Sequence, residues 1–261
     1  MKRVLKHSKK GDFMKLSYRI STVLFVLLFL SGLSFFAEQV NAGCGSVTKD
    51  KAEATARYIA DVIVAGRGIV AANQGLINDP QKGDKGFTPD KVAEQIRAKF
   101  KEMTGTDVND LPPDIHEIVE QVISAAKMSV QMNQPRINQK GKGFKGYIPA
   151  VFGRETGQIL KGKCNIFIKQ TTFKYRNAYN QPDPFEKTVL KRFEQADYPK
   201  GKGYGEFVNN DYRYLQPIYI KKACLKCHGE PKGSIDPAGR KREGYKVGDL
   251  RGAISVRFPV K

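Results

Sequence analysis

The sequence predicts an α+β fold, in which an antiparallel sheet with flanking helices follows a long N-terminal helical arm. Two observations support this prediction. Residues 46–133 carry apolar side chains at three- and four-residue steps, which is typical of amphipathic helices. From Gly143 onwards, the chain changes to short runs rich in aromatic and β-branched residues, which is typical of strands. We therefore divide the chain into a leader (1–42), a helical arm (43–142) and a C-terminal domain (143–261).

The leader has the features of an export signal. Basic side chains precede an apolar run from Ile20 to Phe36, and Val40-Asn41-Ala42 fits a small-residue cleavage site. The apolar run is also near the lower limit for spanning a bilayer, so an uncleaved membrane anchor is the alternative to a signal peptide. In both cases we expect residues 43–261 in the periplasm or another extracytoplasmic compartment, with membrane association in the second case.

The chain is strongly basic, with 45 lysine and arginine residues against 26 acidic ones and a formal net charge of +19. This excess would indicate nucleic acid in a cytoplasmic protein. Export makes an acidic redox partner or a membrane surface the better expectation, with no nucleic acid bound. Much of the charge lies in lysine–glycine loops at 81–86, 139–146 and 199–205, which are either solvated loops or a docking face. Beyond these loops we expect no internal repeat.

Three helices are predicted in the arm. The first covers residues 46–77, the second runs from the Thr88-Pro89 cap to Met103, and the third runs from Pro113 to Asn133. The apolar face of the first helix exceeds what a small sheet can cover. A homodimer through residues 46–77 is therefore expected.

The C-terminal domain is expected to contain one sheet. The predicted elements are a short helix near 147–160, a strand at 164–175, a helix from Asp183 to Gln195, a hairpin around Asn209-Asn210-Asp211 and a last strand at 251–260.

The sequence Cys224-Leu225-Lys226-Cys227-His228 is typical of covalent haem attachment. Two thiols at this spacing can add to the two vinyl groups of one haem, and the adjacent histidine then serves as the proximal iron ligand. Other interpretations fit less well, because a zinc site needs four ligands and a thioredoxin-like pair belongs to a βαβ pattern. A disulfide between Cys224 and Cys227 would close a small, strained loop. We therefore predict one covalent haem c.

The second axial ligand is less well defined by the sequence. Cys164 is the leading candidate because it begins a predicted strand of the same domain. Its alternatives are a buried free thiol or a disulfide with Cys44. The other candidates for the ligand are Met103, Met128, Met132 and His116.

Residues 168–186, 215–231 and 244–256 resemble the bacterial single-haem cytochrome c family with a PAS-like fold, which includes periplasmic haem sensor domains and a cyanobacterial soluble cytochrome with cysteine–histidine ligation. The resemblance implies haem attachment at Cys224 and Cys227 and proximal ligation by His228. It also implies that Arg176, Asn177 and Asn180 lie next to the haem. Arg176 would then either hold its loop through backbone carbonyls or pair with a haem propionate.

Two functions agree with these features. The first is a carrier that transfers single electrons, and the second is a haem-based sensor of redox state or of a gas such as NO or CO, acting through a separate partner. We expect the carrier, because sensors of this family have an output domain after the last strand and none follows in this sequence. No enzymatic reaction is expected, since only His7 and His116 would remain for a catalytic set.

Overall fold

A computed structural model describes Cys44 and residues 47–261 of the chain, so the predicted leader lies outside the described residues. The centre of the fold is a four-stranded antiparallel sheet with the strand order β1-β4-β3-β2. The strands are β1 Phe167–Thr171, β2 Tyr204–Val208, β3 Asp211–Tyr219 and β4 Leu250–Pro259. The predicted α+β class with an antiparallel sheet is therefore confirmed.

Seven α-helices accompany the sheet in the described part of the chain. They are α1 Ala52–Ala72, α2 Gln74–Ile77, α3 Pro89–Thr104, α4 Pro113–Ile137, α5 Pro149–Cys164, α6 Pro184–Phe193 and α7 Leu225–His228. Among the described residues, no helix combines the length and apolar character needed to cross a membrane.

Helix starts follow their capping residues. Helix α3 begins at Pro89 behind Thr88, whose side chain accepts a hydrogen bond from the Lys91 amide. Helix α6 begins behind Asp183, which forms a reciprocal capping box with Glu186. Two predicted helices differ from the structure. The first breaks at Asn73, whose side chain donates to the Ile69 carbonyl, and the third continues beyond Asn133 to Ile137.

The helical arm and the sheet share one hydrophobic core. Helix α1 packs on the sheet face that carries Ile254, Val256 and Phe258, and α6 covers the opposite face around Leu215 and Ala253. Cys44–Lys261 thus forms one compact unit. The apolar side of α1 is buried within its own chain. The reason given for a dimer through residues 46–77 therefore does not hold.

The helices contain an internal repeat, contrary to the sequence prediction. Helices α3 and α5 each have 16 residues and begin at Pro89 and Pro149, sixty positions apart. The same offset relates the helix ends Ile77 and Ile137. It also relates pairs of loop residues, which are Asn78 and Asn138, Lys85 and Lys145, Gly86 and Gly146, and Phe87 and Tyr147. Two helical hairpins with corresponding loops therefore make up residues 52–164, beyond the predicted end of the arm at residue 142.

The two loops of this repeat exchange hydrogen bonds. The Asn78 side chain accepts from the Lys145 amide (2.7 Å), and the Asn138 side chain accepts from the Lys85 amide (3.2 Å). The Gln74 side chain donates to the Tyr147 carbonyl, and its counterpart Gln134 donates to the Phe87 carbonyl. Both lysines are buried, and each ammonium group is bonded to backbone carbonyls. These lysines therefore hold the loops together, which argues against the interpretation of both loops as freely solvated.

A disulfide bond joins Cys44 to Cys164 at the end of α5, with a Cα–Cα distance of 5.0 Å. The bond ties the start of the described chain to a residue 120 positions later. Val47 and Phe258 line the same small cavity, so the bond lies at the end of the sheet where β4 finishes. Of the two alternatives considered for Cys164, the structure has the disulfide.

We expect Asn78→Ala and Asn138→Ala each to lower the free energy of unfolding by about 1–3 kcal/mol, because each change leaves a lysine amide of the opposite loop without its acceptor. Urea denaturation monitored by circular dichroism measures the loss. Asn109→Ala, which removes an exposed side chain of a short turn, is the control. Stability changes no larger than in this control would contradict the exchange of hydrogen bonds.

We expect the double variant Cys44→Ser/Cys164→Ser to lose about 2–4 kcal/mol of folding free energy, since the disulfide closes a long loop in the unfolded chain. Denaturation of the variant and of the wild-type protein, each with and without reductant, tests this. Reductant should destabilise only the wild-type protein. Equal sensitivity in both proteins would show that the effect does not come from this bond.

Candidate functional site

Cys224, Cys227 and His228 lie on one continuous helical turn. A 3-10 turn over Lys222–Cys224 leads directly into α7, so the two sulfurs and the imidazole project from consecutive steps of the same short helix. Both cysteines are free thiols with partial exposure. A side chain at Gly229 would meet the Leu225 carbonyl at 2.7 Å, so glycine lets the chain leave the helix at this point.

The Cys227 thiol does not resemble the activated thiol of a redox pair. Burial raises the pKa of Cys227, and the nearby charge of Asp236 raises it further. The thiol form therefore dominates at neutral pH, whereas a redox-active pair has a lowered thiol pKa.

His228 is oriented by a carboxylate. Its Nδ1 lies 2.8 Å from Oε2 of Glu243, and within the described residues Nε2 has no hydrogen-bond partner. Burial lowers the pKa of His228, and the charge of Arg251 lowers it further, against the opposing effect of Glu243. The imidazole is therefore neutral near pH 7, with a free nitrogen lone pair suited to a metal ion.

Arg176 connects the motif to the loop that follows it. Its guanidinium donates to both carboxylate oxygens of Glu243, to Asp236 Oδ2 (2.6 Å), and to the backbone carbonyls of Cys227 (2.8 Å) and Lys241 (3.0 Å). All three guanidinium nitrogens are thus bonded to protein groups. Of the two predicted roles, holding the loop therefore fits this geometry better than pairing with a propionate.

Glu243 is the second centre of this network. Burial acts to raise the pKa of Glu243, but the hydrogen bonds from Arg176 and His228 outweigh it and hold the pKa below its usual range. Arg251 lies 3.7 Å from the same carboxylate and donates to Thr172 Oγ1 at 2.9 Å. The Glu243 side chain is therefore ionised and held from several directions.

Two further groups lie near the motif. Tyr245 donates its amide to the His228 carbonyl (2.8 Å), and its ring meets the imidazole edge-on. Arg67 on α1 donates to the Pro149 carbonyl. Burial lowers the pKa of Arg67 to about 10, with a further contribution from the charge of Arg251. Helix α1 also touches the turn that carries Cys224, so the arm forms one side of the site.

Asn177 and Asn180 shape the loop that presents Arg176. The Asn177 side chain accepts from the Tyr179 amide (3.0 Å), and the Asn180 carbonyl accepts from the Thr172 amide (3.3 Å). Phe173 and Tyr175 in the same loop are 39% and 43% exposed. This loop therefore places aromatic surface beside the residues that bind Arg176.

The structure contradicts the prediction that Cys164 is the distal ligand. Its sulfur is bonded to Cys44, and it ends helix α5 instead of beginning a strand. Cys164 shares a cavity with Phe258, whereas the His228 site contains Arg251 at the opposite end of β4. Seven residues of extended strand correspond to about 23 Å. Cys164 is therefore too distant to share an iron with His228.

The other predicted distal candidates also lie away from His228. His116 on α4 is 3.7 Å from Glu120, and Met128 on the same helix accepts from Lys163. Met103 and Met132 are exposed, at the end of α3 and on α4 respectively. None of these four residues contacts the network of Arg176, Glu243 and Arg251 in the described part of the chain.

A family model described as "Tll0287-like: Tll0287" matches residues 45–259. The chain belongs to the Tll0287-like family. A solved structure titled "Crystal structure of the cyanobacterial heme-protein Tll0287" is 21% identical, with 57% of this chain and 97% of that chain covered and a TM-score of 0.40. No curated protein sequence matches this chain. Family membership rests on the family model, which spans nearly all of the described residues.

The residues of the site fit a covalently bound haem. The donor set consists of two free thiols and a neutral imidazole, all on one helical turn, and Nε2 has no partner among residues 47–261 or Cys44. Cys224 and Cys227 would form the thioether bonds, and His228 would ligate the iron. Glu243, Arg251 and Tyr245 were not predicted as site residues. The sequence signal for Glu243 is only that it is an acidic residue in a basic loop, directly before the segment 244–256.

We expect Arg176→Lys to loosen the loop that follows the motif, because a single ammonium group cannot replace the bonds to Glu243, Asp236 and two carbonyls. Each lost charged hydrogen bond is worth about 1.5–3 kcal/mol, so amide exchange of Tyr245 should accelerate at least about tenfold.

Arg213→Lys is the matched control for Arg176→Lys. Arg213 binds Asp183 at the start of α6 and contacts no residue of the motif. Hydrogen–deuterium exchange measured by mass spectrometry compares the two variants. Unchanged exchange at Tyr245 in Arg176→Lys would contradict the role given to Arg176.

Proposed function

We propose that this protein is an exported c-type cytochrome with one covalent haem, which transfers single electrons and catalyses no chemical conversion of a substrate. The observation that carries the proposal is the helical turn with two free thiols and a histidine whose Nε2 has no hydrogen-bond partner in the described part of the chain. When bound, haem supplies a one-electron iron couple. Cys224 and Cys227 would attach it, and His228 would ligate its iron.

Three further observations support parts of the proposal. The family includes a solved protein whose title names it a cyanobacterial haem protein. The Cys44–Cys164 bond supports export, because disulfides persist in oxidising compartments and are rare in the cytosol. The basic composition supports an acidic redox partner, whose encounter rate the opposite charge would increase.

The proposal predicts that the protein, produced with haem-attachment machinery, carries one haem that denaturant does not remove. Cys224→Ser/Cys227→Ser should abolish attachment, and Cys44→Ser/Cys164→Ser should preserve it and leave the absorption spectrum unchanged. Intact mass and the pyridine haemochrome spectrum measure both results. Absence of haem from the wild-type protein would refute the proposal, and loss of low-spin features in the second variant would restore Cys164 as a ligand.

A haem-based gas sensor is the second candidate function. It is favoured by the location of Cys164, Met103, Met128, Met132 and His116, which all lie away from His228. An iron without a protein ligand on its distal side would bind CO or NO. Absorption spectra of the reduced protein before and after addition of CO distinguish the two functions. A six-coordinate spectrum that CO leaves unchanged favours the carrier, and a spectrum that shifts with CO favours the sensor.

A further inference from the structure

We propose that Glu243 is a positioning residue for His228, which fixes the tautomer of the imidazole, aims Nε2 at the iron and lowers the reduction potential of the bound haem. This inference rests on the proposed function, since it concerns the same cofactor. Glu243 lies 15 positions after His228 in the sequence and orients its imidazole.

The hydrogen bond determines the tautomer. Both oxygens of Glu243 already accept hydrogen bonds from Arg176, so the carboxylate acts as an acceptor and the proton lies on His228 Nδ1, 2.8 Å from Oε2. The lone pair then lies on Nε2, which has no partner among the described residues. Without the carboxylate, nothing at this site would select between the two tautomers or hold the ring in one orientation.

Glu243 is itself held in place from two elements. Arg176 binds both of its oxygens from the loop after β1, and Arg251 approaches Oε1 from the start of β4. Both guanidinium groups stabilise the ionised carboxylate. The acceptor of the His228 proton is therefore part of a rigid, charged network instead of a mobile side chain.

A carboxylate increases the electron donation of a ligating imidazole more than a neutral hydrogen-bond acceptor does. It draws the Nδ1 proton towards itself and leaves more electron density on Nε2, so the imidazole becomes a stronger donor. A stronger donor stabilises the ferric over the ferrous state and lowers the reduction potential. The positive charges of Arg176 and Arg251 act in the opposite direction, and both remain when Glu243 is neutralised.

The first test is Glu243→Gln in the haem-loaded protein. Glutamine retains a similar shape but loses the charge, so the ratio of ferrous to ferric protein at a fixed electrode potential should increase at least about tenfold, equal to about 59 mV for one electron. The iron–histidine stretching frequency of the ferrous protein, read by resonance Raman spectroscopy, should fall in parallel. An unchanged potential and frequency would overturn the proposal.

Asp236→Asn is the matched control. Asp236 is a second carboxylate bound to Arg176, but it contacts backbone amides of its own turn and not His228. If loosening of the loop changed the potential, both variants would shift it equally, and the proposal would fail. If the bond to His228 is responsible, only Glu243→Gln shifts it. Glu243→Asp is the second variant, which keeps the charge near Arg176 but withdraws it from Nδ1.

A measurement without haem separates this inference from the proposed function. Nitrogen NMR of the haem-free protein should find the His228 proton on Nδ1 in the wild type and in Asp236→Asn, and its redistribution towards Nε2 in Glu243→Gln and Glu243→Asp. The opposite tautomer in the wild type would overturn the role of Glu243 whether or not haem attaches. Failure of haem attachment with the Nδ1 tautomer intact would instead refute the proposed function alone.

Discussion

The geometry of the site depends on the guanidinium group of Arg176. The chain between the His228 turn and β4 contains no long helix or strand, and its backbone hydrogen bonds close only a short hairpin over residues 233–242. Arg176 supplies a further constraint from a different part of the sequence, by binding the Cys227 carbonyl together with Asp236 and Glu243. Because charged groups with several hydrogen bonds each are costly to separate, a short irregular loop can keep an imidazole in one orientation.

The repeated helical hairpins provide the rigid support on which this loop rests. The helices of one hairpin, α1 and α3, correspond to those of the other, α4 and α5, yet only α1 and α5 contact the sheet closely. Helix α5 approaches β1 so closely that a side chain at Gly157 would meet the Ile168 carbonyl at 2.5 Å. Related hairpins have thus acquired different surroundings, one helix of each facing the sheet and the other facing solvent.

Local signals in the sequence were sufficient to predict where many helices and turns begin. Thr88-Pro89 and Asp183-Pro184 mark helix starts by satisfying amides of the first turn, and Asn209 at φ 56 forms the predicted hairpin. Cys164 was assigned to a strand because an alternating pattern follows it directly. The structure instead ends helix α5 at Cys164 and turns the chain at Asn165, which also has a positive φ. The repeat was missed because its identical residues are concentrated in the segments 73–89 and 133–149, whereas the helices that follow differ in sequence. Glu243 was missed because contacts between distant loops leave no periodic pattern.

The four cysteines of this chain form two pairs in different oxidation states, and the length of β4 separates one pair from the other. One pair is oxidised at the end of the strand beside Phe258, and the other stays reduced near its beginning beside Arg251. The two pairs therefore lie too far apart to exchange partners, and a chain that has formed the Cys44–Cys164 bond still has Cys224 and Cys227 as free thiols.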